Sequence, residues 1–170
     1  EQPINKYALS KKISKDIIEY FCYKNNIKFT NIYIPNPFGP FEDLKLNYHV
    51  LNSWQHEKEV IINTPTYIRD FLPVDLLAIS YFDHIFSLQN INTINNSFSP
   101  SGYRMNIHNY ILFLSNKLFD LTGNRKFFKS NNQENYNEPL ELINDYNVLS
   151  NKKWNEDYFW VQYFNYYNFI

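Results

Sequence analysis

Residues 6–40 read KYALSKKISKDIIEYFCYKNNIKFTNIYIPNPFGP. Ile13, Ile17 and Phe21 recur at four-residue spacing, and Ile18 and Tyr20 widen the apolar stripe, so the spacing predicts a helix over Lys6 to Asn25. Ile27 to Ile34 follows at period two. Its β-branched and aromatic residues predict a strand, buried rather than exposed. Pro35-Asn36-Pro37-Phe38-Gly39-Pro40 cannot continue that strand, because three prolines and a glycine favour a rigid loop. Helix, strand and rigid loop in this order argue for an α/β fold.

Working outward, Leu44 to His56 is expected to be helical. Glu59 to Asn63 and Tyr67 to Phe71 are expected as short strands on either side of Thr64-Pro65-Thr66. Val74 to Leu88 reads as a helix with Leu77, Tyr81 and His84 or Ile85 on one side, and Thr93 to Phe98 as a strand ended by Ser99-Pro100-Ser101-Gly102. Asn106 suits an N-cap for a helix from Ile107 to Leu121, stopped near Gly123. Phe127 to Lys129 and Leu140 to Ile143 read as short strands around the polar loop Ser130 to Asn137. Glu156 to Tyr167 reads as a last, strongly aromatic helix of the core or an interface.

The bulk numbers exclude several classes. Lys plus Arg is 16 against Asp plus Glu 17, so no basic excess points to nucleic acid. Aromatic residues make up 19% of the 170 residues, but the cationic groove that would turn them into base-stacking platforms is missing. The one cysteine, Cys22, cannot form an internal disulfide; a buried, inert thiol in a reducing, cytoplasmic setting is expected. No apolar run is long enough for a spanning helix, and no membrane association is expected. His49, His56, His84 and His108 fall in no metal-binding frame, so no metal is expected. The chain opens on Glu1, a few residues before a helix that carries chemistry, and so reads as an internal piece of a longer protein.

That chemistry lies in Tyr7 and Lys11, four apart and therefore on one helix face. A free phenol is a poor base at neutral pH, but a fixed ammonium beside it stabilises the phenolate. A phenol so placed can take a proton from a hydroxyl or return one to a carbonyl. An exposed helical pair with no such role is the competing reading.

Three segments in order change the balance. Tyr7-Ala8-Leu9-Ser10-Lys11 resembles the active-site helix of the extended short-chain dehydrogenases, specifically the NAD-dependent epimerase/dehydratase family acting on nucleotide sugars. Ile34 to Pro40 resembles their substrate loop, and Ile68-Arg69-Asp70-Phe71-Leu72-Pro73-Val74-Asp75 their Arg-Asp-aromatic stretch leading into a helix. Ser97 to Gly102, followed by an amphipathic helix, and Trp154 near the end extend the resemblance over essentially the whole chain.

The resemblance implies the C-terminal part of a Rossmann-like sheet plus a small mixed α/β substrate-binding lobe. Residues 1–43 would end the core, and 44–170 would be mainly the lobe with return elements. It implies NAD or NADP as cofactor, with Tyr7 as acid/base, Lys11 on the nicotinamide ribose and Pro35 beside the cofactor. Asn36 would contact the sugar-phosphate portion of a nucleotide-diphosphate sugar, and Arg69 its diphosphate, for which a planar guanidinium fork is suited. The competing roles are a turn residue for Asn36 and an ion pair with Asp70 or another loop carboxylate for Arg69. Asp75 is expected to cap or fix a loop rather than to catalyse. The reaction would be an epimerisation, dehydration or 4-keto reduction feeding a surface polysaccharide, in a possible homodimer.

Departures are visible. Leu76 stands where a second acid is common, Pro73 where His or Tyr is, and Tyr33 where Arg is. The family's second phosphate-binding arginine has no match near Gln133 to Glu138. With three glycines in total, no phosphate-cradling loop can be assembled, and the catalytic Ser or Thr strand is absent. The chain alone is therefore expected to be inactive. The alternative is a truncated or degenerate relative that binds a nucleotide sugar, or a partner, without catalysis.

Overall fold

The computed structural model describes residues 5–42, 44–88, 95–133 and 138–170. The chain runs α1 (Lys6–Lys24), β1 (Phe29–Ile32), β2 (Asn36–Phe38), α2 (Leu46–Gln55), β3 (Ile61–Ile62), β4 (Ile68–Pro73) and α3 (Val74–Ser87). It continues through β5 (Asn95–Phe98), β6 (Pro100–Ser101), β7 (Tyr103–Asn106), α4 (Ile107–Thr122), β8 (Lys129–Ser130), β9 (Glu141–Leu142), β10 (Tyr146–Asn147) and α5 (Glu156–Tyr166). This is the mixed α/β fold that the opening stretch implies.

β4 organises the molecule. On one edge it pairs antiparallel with β7, from Ile68 opposite Asn106 to Phe71 opposite Tyr103. Its other edge is shared. β9 lies parallel beside Ile68 and Arg69, and β2 lies parallel beside Phe71 to Pro73. Every residue of β4 from Arg69 to Pro73 is buried, which explains its lack of polar alternation.

Below this sheet, α2, α4 and α5 bury Val50, Leu51, Trp54, Tyr110, Ile111, Leu114, Phe159, Trp160, Tyr163 and Phe164 in one cluster with Phe38. The aromatic helix α5 is therefore core. Phe38 meets the rings of Tyr110, Phe159, Trp160 and Tyr163 at centroid distances between 5.4 and 5.9 Å, mostly edge-to-face. A smaller cluster of Leu72, Leu76, Phe98 and Val148 joins β4 and α3 to β5.

Several expectations are corrected. The proline-rich segment is a strand at Asn36–Phe38, not only a loop. It sits at the end of the β2-β4-β7 order, where Pro37 is tolerated because an edge strand can do without one amide. β1 is half-exposed rather than buried, since β5 is its one strand neighbour among the described residues. The inward face of α3 is Leu76 and Ser80, while Tyr81 and Ile85 are exposed. β6, β7 and β10 were not foreseen; Pro100–Ser101, expected within a strand-ending turn, pairs with β10. The expected start of β5 at Thr93 and part of the Ser130 to Asn137 loop lie outside the described residues.

The largest correction concerns α1. The stripe that predicted it faces away from the rest of the described chain: Ile13, Ile17, Ile18, Tyr20 and Phe21 are all exposed, and Cys22 is its one buried residue. The helix itself is as expected, capped by Asn5, whose Oδ1 accepts the Ala8 amide at 2.8 Å. α4 likewise starts at Asn106, whose side chain accepts the Asn109 amide, and ends at Gly123 with φ of 73°. No described helix is long and apolar enough to cross a membrane.

Candidate functional site

Tyr7 and Lys11 occupy the first two turns of α1. The Lys11 Nζ lies 5.4 Å from the centre of the Tyr7 ring, and the phenol is 71% exposed. The neighbouring lysines are engaged differently. Lys12 pairs with Asp16 and Lys15 with Glu19, each four residues on. Lys11 has no carboxylate partner among the described residues. Its ammonium and the Tyr7 hydroxyl thus share one accessible face.

Asn36 and Arg69 lie on the paired strands β2 and β4, with no hydrogen bond or ion pair joining them among the described residues. Asn36 opens β2 opposite Phe71, and its side-chain amide donates to the Asp70 carbonyl at 3.4 Å. Pro35 precedes it, part-buried. Further along, Gly39 is held tightly: a Cβ there would lie 2.4 Å from Val74 Cγ1, so the chain after β2 passes against the start of α3 where a side chain would clash. No hydrogen bond, ion pair or ring contact joins Tyr7 or Lys11 to Asn36 or Arg69 among the described residues.

Arg69 is buried and heavily bonded. Nη1 donates to the carbonyls of Ile68 at 2.9 Å and Leu140 at 3.2 Å, and Nη2 donates to Glu138 Oε2 at 3.1 Å. The Tyr67 ring centre lies 5.0 Å from its Cζ. The carboxylate partner is thus Glu138, not the adjacent Asp70.

Asp70 has a different task that the sequence reading missed. It is fully buried; Oδ1 accepts the Gly102 amide at 2.7 Å and Oδ2 accepts the Asn144 amide at 3.1 Å. The Asn144 side chain then donates to the carbonyls of Tyr33 and Pro100. One carboxylate and one amide therefore fasten the end of β1, the β6–β7 turn and the approach to β10 onto β4. The adjacency of Asp70 to Arg69 was the available signal. Nothing in the sequence marked Asn144 or Glu138.

Asp75 fixes structure, as expected, though Pro73 takes the N-cap position. Its Oδ1 accepts the Leu76 amide, and its Oδ2 accepts the Trp154 indole N–H at 3.1 Å. Burial raises its pKa, and the two donors work against that rise. Glu156 collects Tyr103, Lys117 and Trp160 on one oxygen. Burial alone would raise its pKa, but Lys117, Tyr103 and Trp160 together hold it below the ordinary value.

Residues 1–80 match the model of the NAD dependent epimerase/dehydratase family. No curated protein matches the chain by sequence. Among solved structures, the fold is similar to a UDP-glucuronic acid 4-epimerase from Bacillus cereus in complex with UDP-glucuronic acid and NAD. That likeness has a TM-score of 0.71 at 16% identity, over 98% of this chain and 54% of that one. It is also similar to a UDP-N-acetylglucosamine 4-epimerase from Methanobrevibacter ruminantium M1 in complex with UDP-N-acetylmuramic acid, with a TM-score of 0.69 at 19% identity, over 96% and 52%. A UDP-glucose 4-epimerase from Thermotoga maritima with UDP-glucose gives a TM-score of 0.68 at 18% identity, over 95% and 53%. The chain spans about half the length of these structures.

Proposed function

We propose that this chain, whose residues 1–80 match the model of the NAD dependent epimerase/dehydratase family, carries the acid/base and the substrate lobe of an enzyme that epimerises, dehydrates or reduces a nucleotide-diphosphate sugar. The observation that carries the reading is the exposed Tyr7 phenol beside a Lys11 ammonium that no carboxylate neutralises among the described residues.

NAD or NADP fits these residues. A free ammonium and a phenol on one accessible helix face suit the hydroxyls of a ribose, so Lys11 and Tyr7 would hold the nicotinamide end, with Pro35 beside it. When bound, the nicotinamide accepts and returns a hydride. The chain's own residues supply the rest. Tyr7 Oη takes the proton of a sugar hydroxyl and returns it, and Lys11 stabilises the phenolate between the two events. Asn36 orients the sugar-phosphate portion, and Arg69 offers charge to the diphosphate. Residues 1–43 form the edge of the cofactor-binding core in this reading, and 44–170 form mainly the substrate lobe. The outward stripe of α1, with Ile13, Ile17 and Tyr20, is a surface on which a second copy would pair. The lone thiol suits a cytoplasmic setting.

The test is turnover by the natural full-length gene product, given NAD or NADP with a panel of UDP-, dTDP- and GDP-sugars, and NADH or NADPH with their 4-keto derivatives, with products resolved by NMR. Conversion of one sugar supports the reading and sorts the reaction. A C4 epimer, a 4-keto-6-deoxy sugar and net consumption of reduced cofactor mark the three types. Binding of nucleotide sugars without conversion of any would favour a binding module instead.

A further inference from the structure

The partners of Arg69 are not equivalent. Two are main-chain carbonyls, and Leu140 O also accepts the Ile68 amide at 2.8 Å within the pairing of β4 with β9. Those partners cannot leave without undoing the sheet. The third, the Glu138 carboxylate, belongs to a side chain that is 57% exposed, whereas the Arg69 side chain is 8% exposed. Glu138 is the one carboxylate paired with Arg69 among the described residues, and of its hydrogen-bond partners the one free to swing into water.

We propose that Glu138 is an internal anion that gates Arg69, holding the guanidinium until the diphosphate of a ligand displaces it. The inference rests on the reading of Arg69 as the diphosphate residue. A buried cation leaves its water only if an anion or other acceptors replace it, and Glu138 fills that need while the site is empty. An incoming monoanion exchanges one charge for one and leaves the displaced carboxylate nearby. A diphosphate brings at least two charges and several oxygens for the guanidinium fork. Glu138 therefore weakens all anion binding at Arg69 and penalises the less highly charged anion most. It acts as a selectivity residue through competition, without touching the ligand.

The experiment titrates inorganic pyrophosphate and inorganic phosphate, by calorimetry, into the natural full-length gene product and its Glu138→Gln variant. Glutamine keeps the size and an acceptor oxygen but loses the charge. The gate predicts that Glu138→Gln tightens pyrophosphate binding about tenfold and narrows the preference over phosphate. It also predicts that the Arg69 guanidinium 15N resonances shift on pyrophosphate addition in both proteins. Equal affinities in parent and variant, with the Arg69 resonances still responding, overturn the gate and leave Arg69 as the diphosphate residue. Silent Arg69 resonances at saturating pyrophosphate overturn both.

Discussion

The Asp70 carboxylate accepts the Gly102 amide at 2.7 Å, and a Cβ on Gly102 would lie 2.3 Å from the Phe71 carbonyl oxygen. The turn between β6 and β7 therefore presses its backbone against β4, and the residue beside Arg69 locks it there. Gly102→Ala is expected to destabilise by about 1–3 kcal/mol through the forced displacement. Asp70→Asn is expected to cost a similar ~1–3 kcal/mol, because an amide cannot accept from both the Gly102 and Asn144 amides as a carboxylate does. Urea denaturation of both variants checks this; parental midpoints would contradict the packing described.

Phe38 ties the Pro35–Pro40 segment to the aromatic core. Its side chain is 1% exposed and meets five rings. Phe38→Ala is expected to cost about 3–5 kcal/mol. Phe38→Leu, which retains much of the volume, should lose considerably less by the same measurement.

Glu42 follows the same segment, and burial lifts its pKa from the ordinary 4.5 to about 7, against opposing help from the Tyr48 and Gly39 amides, Lys45 and Asn47. Its charge would also face the buried phenols of Tyr110, Tyr163 and Tyr167. Because the folded pKa is raised, the folded state holds an extra proton between about pH 4.5 and 7, and stability falls as pH rises through that window before levelling off. Melting temperatures of the parent should therefore decline across it more steeply than those of Glu42→Gln. Parallel curves would show that Glu42 ionises freely.

Local signals in the sequence were sound where the chain decides locally. Asn106 and Gly123 bound α4 because capping and left-handed backbone are properties of single residues. The apolar period of α1 fixed its helicity but not its direction, since periodicity says which residues share a face and not what that face meets. β7 was missed although Tyr103 and Met105 alternate with Arg104 and Asn106, because four residues between a Ser-Gly turn and a helix are too short a run to signal a strand; pairing with β4 makes it one. The same holds for the site. Tyr7 and Lys11 were legible because helical spacing alone brings them together. Glu138 reaches Arg69 across 69 positions, a contact that only the fold reveals.

The most direct measurement is the turnover of the natural full-length gene product and its Tyr7→Phe variant on the nucleotide sugar it converts. Tyr7 is largely exposed, so the variant should melt with the parent. The account predicts that kcat falls at least ~100-fold while substrate affinity changes little. A variant that keeps the parental kcat would contradict the assignment of Tyr7 as the acid/base and, with it, the central claim.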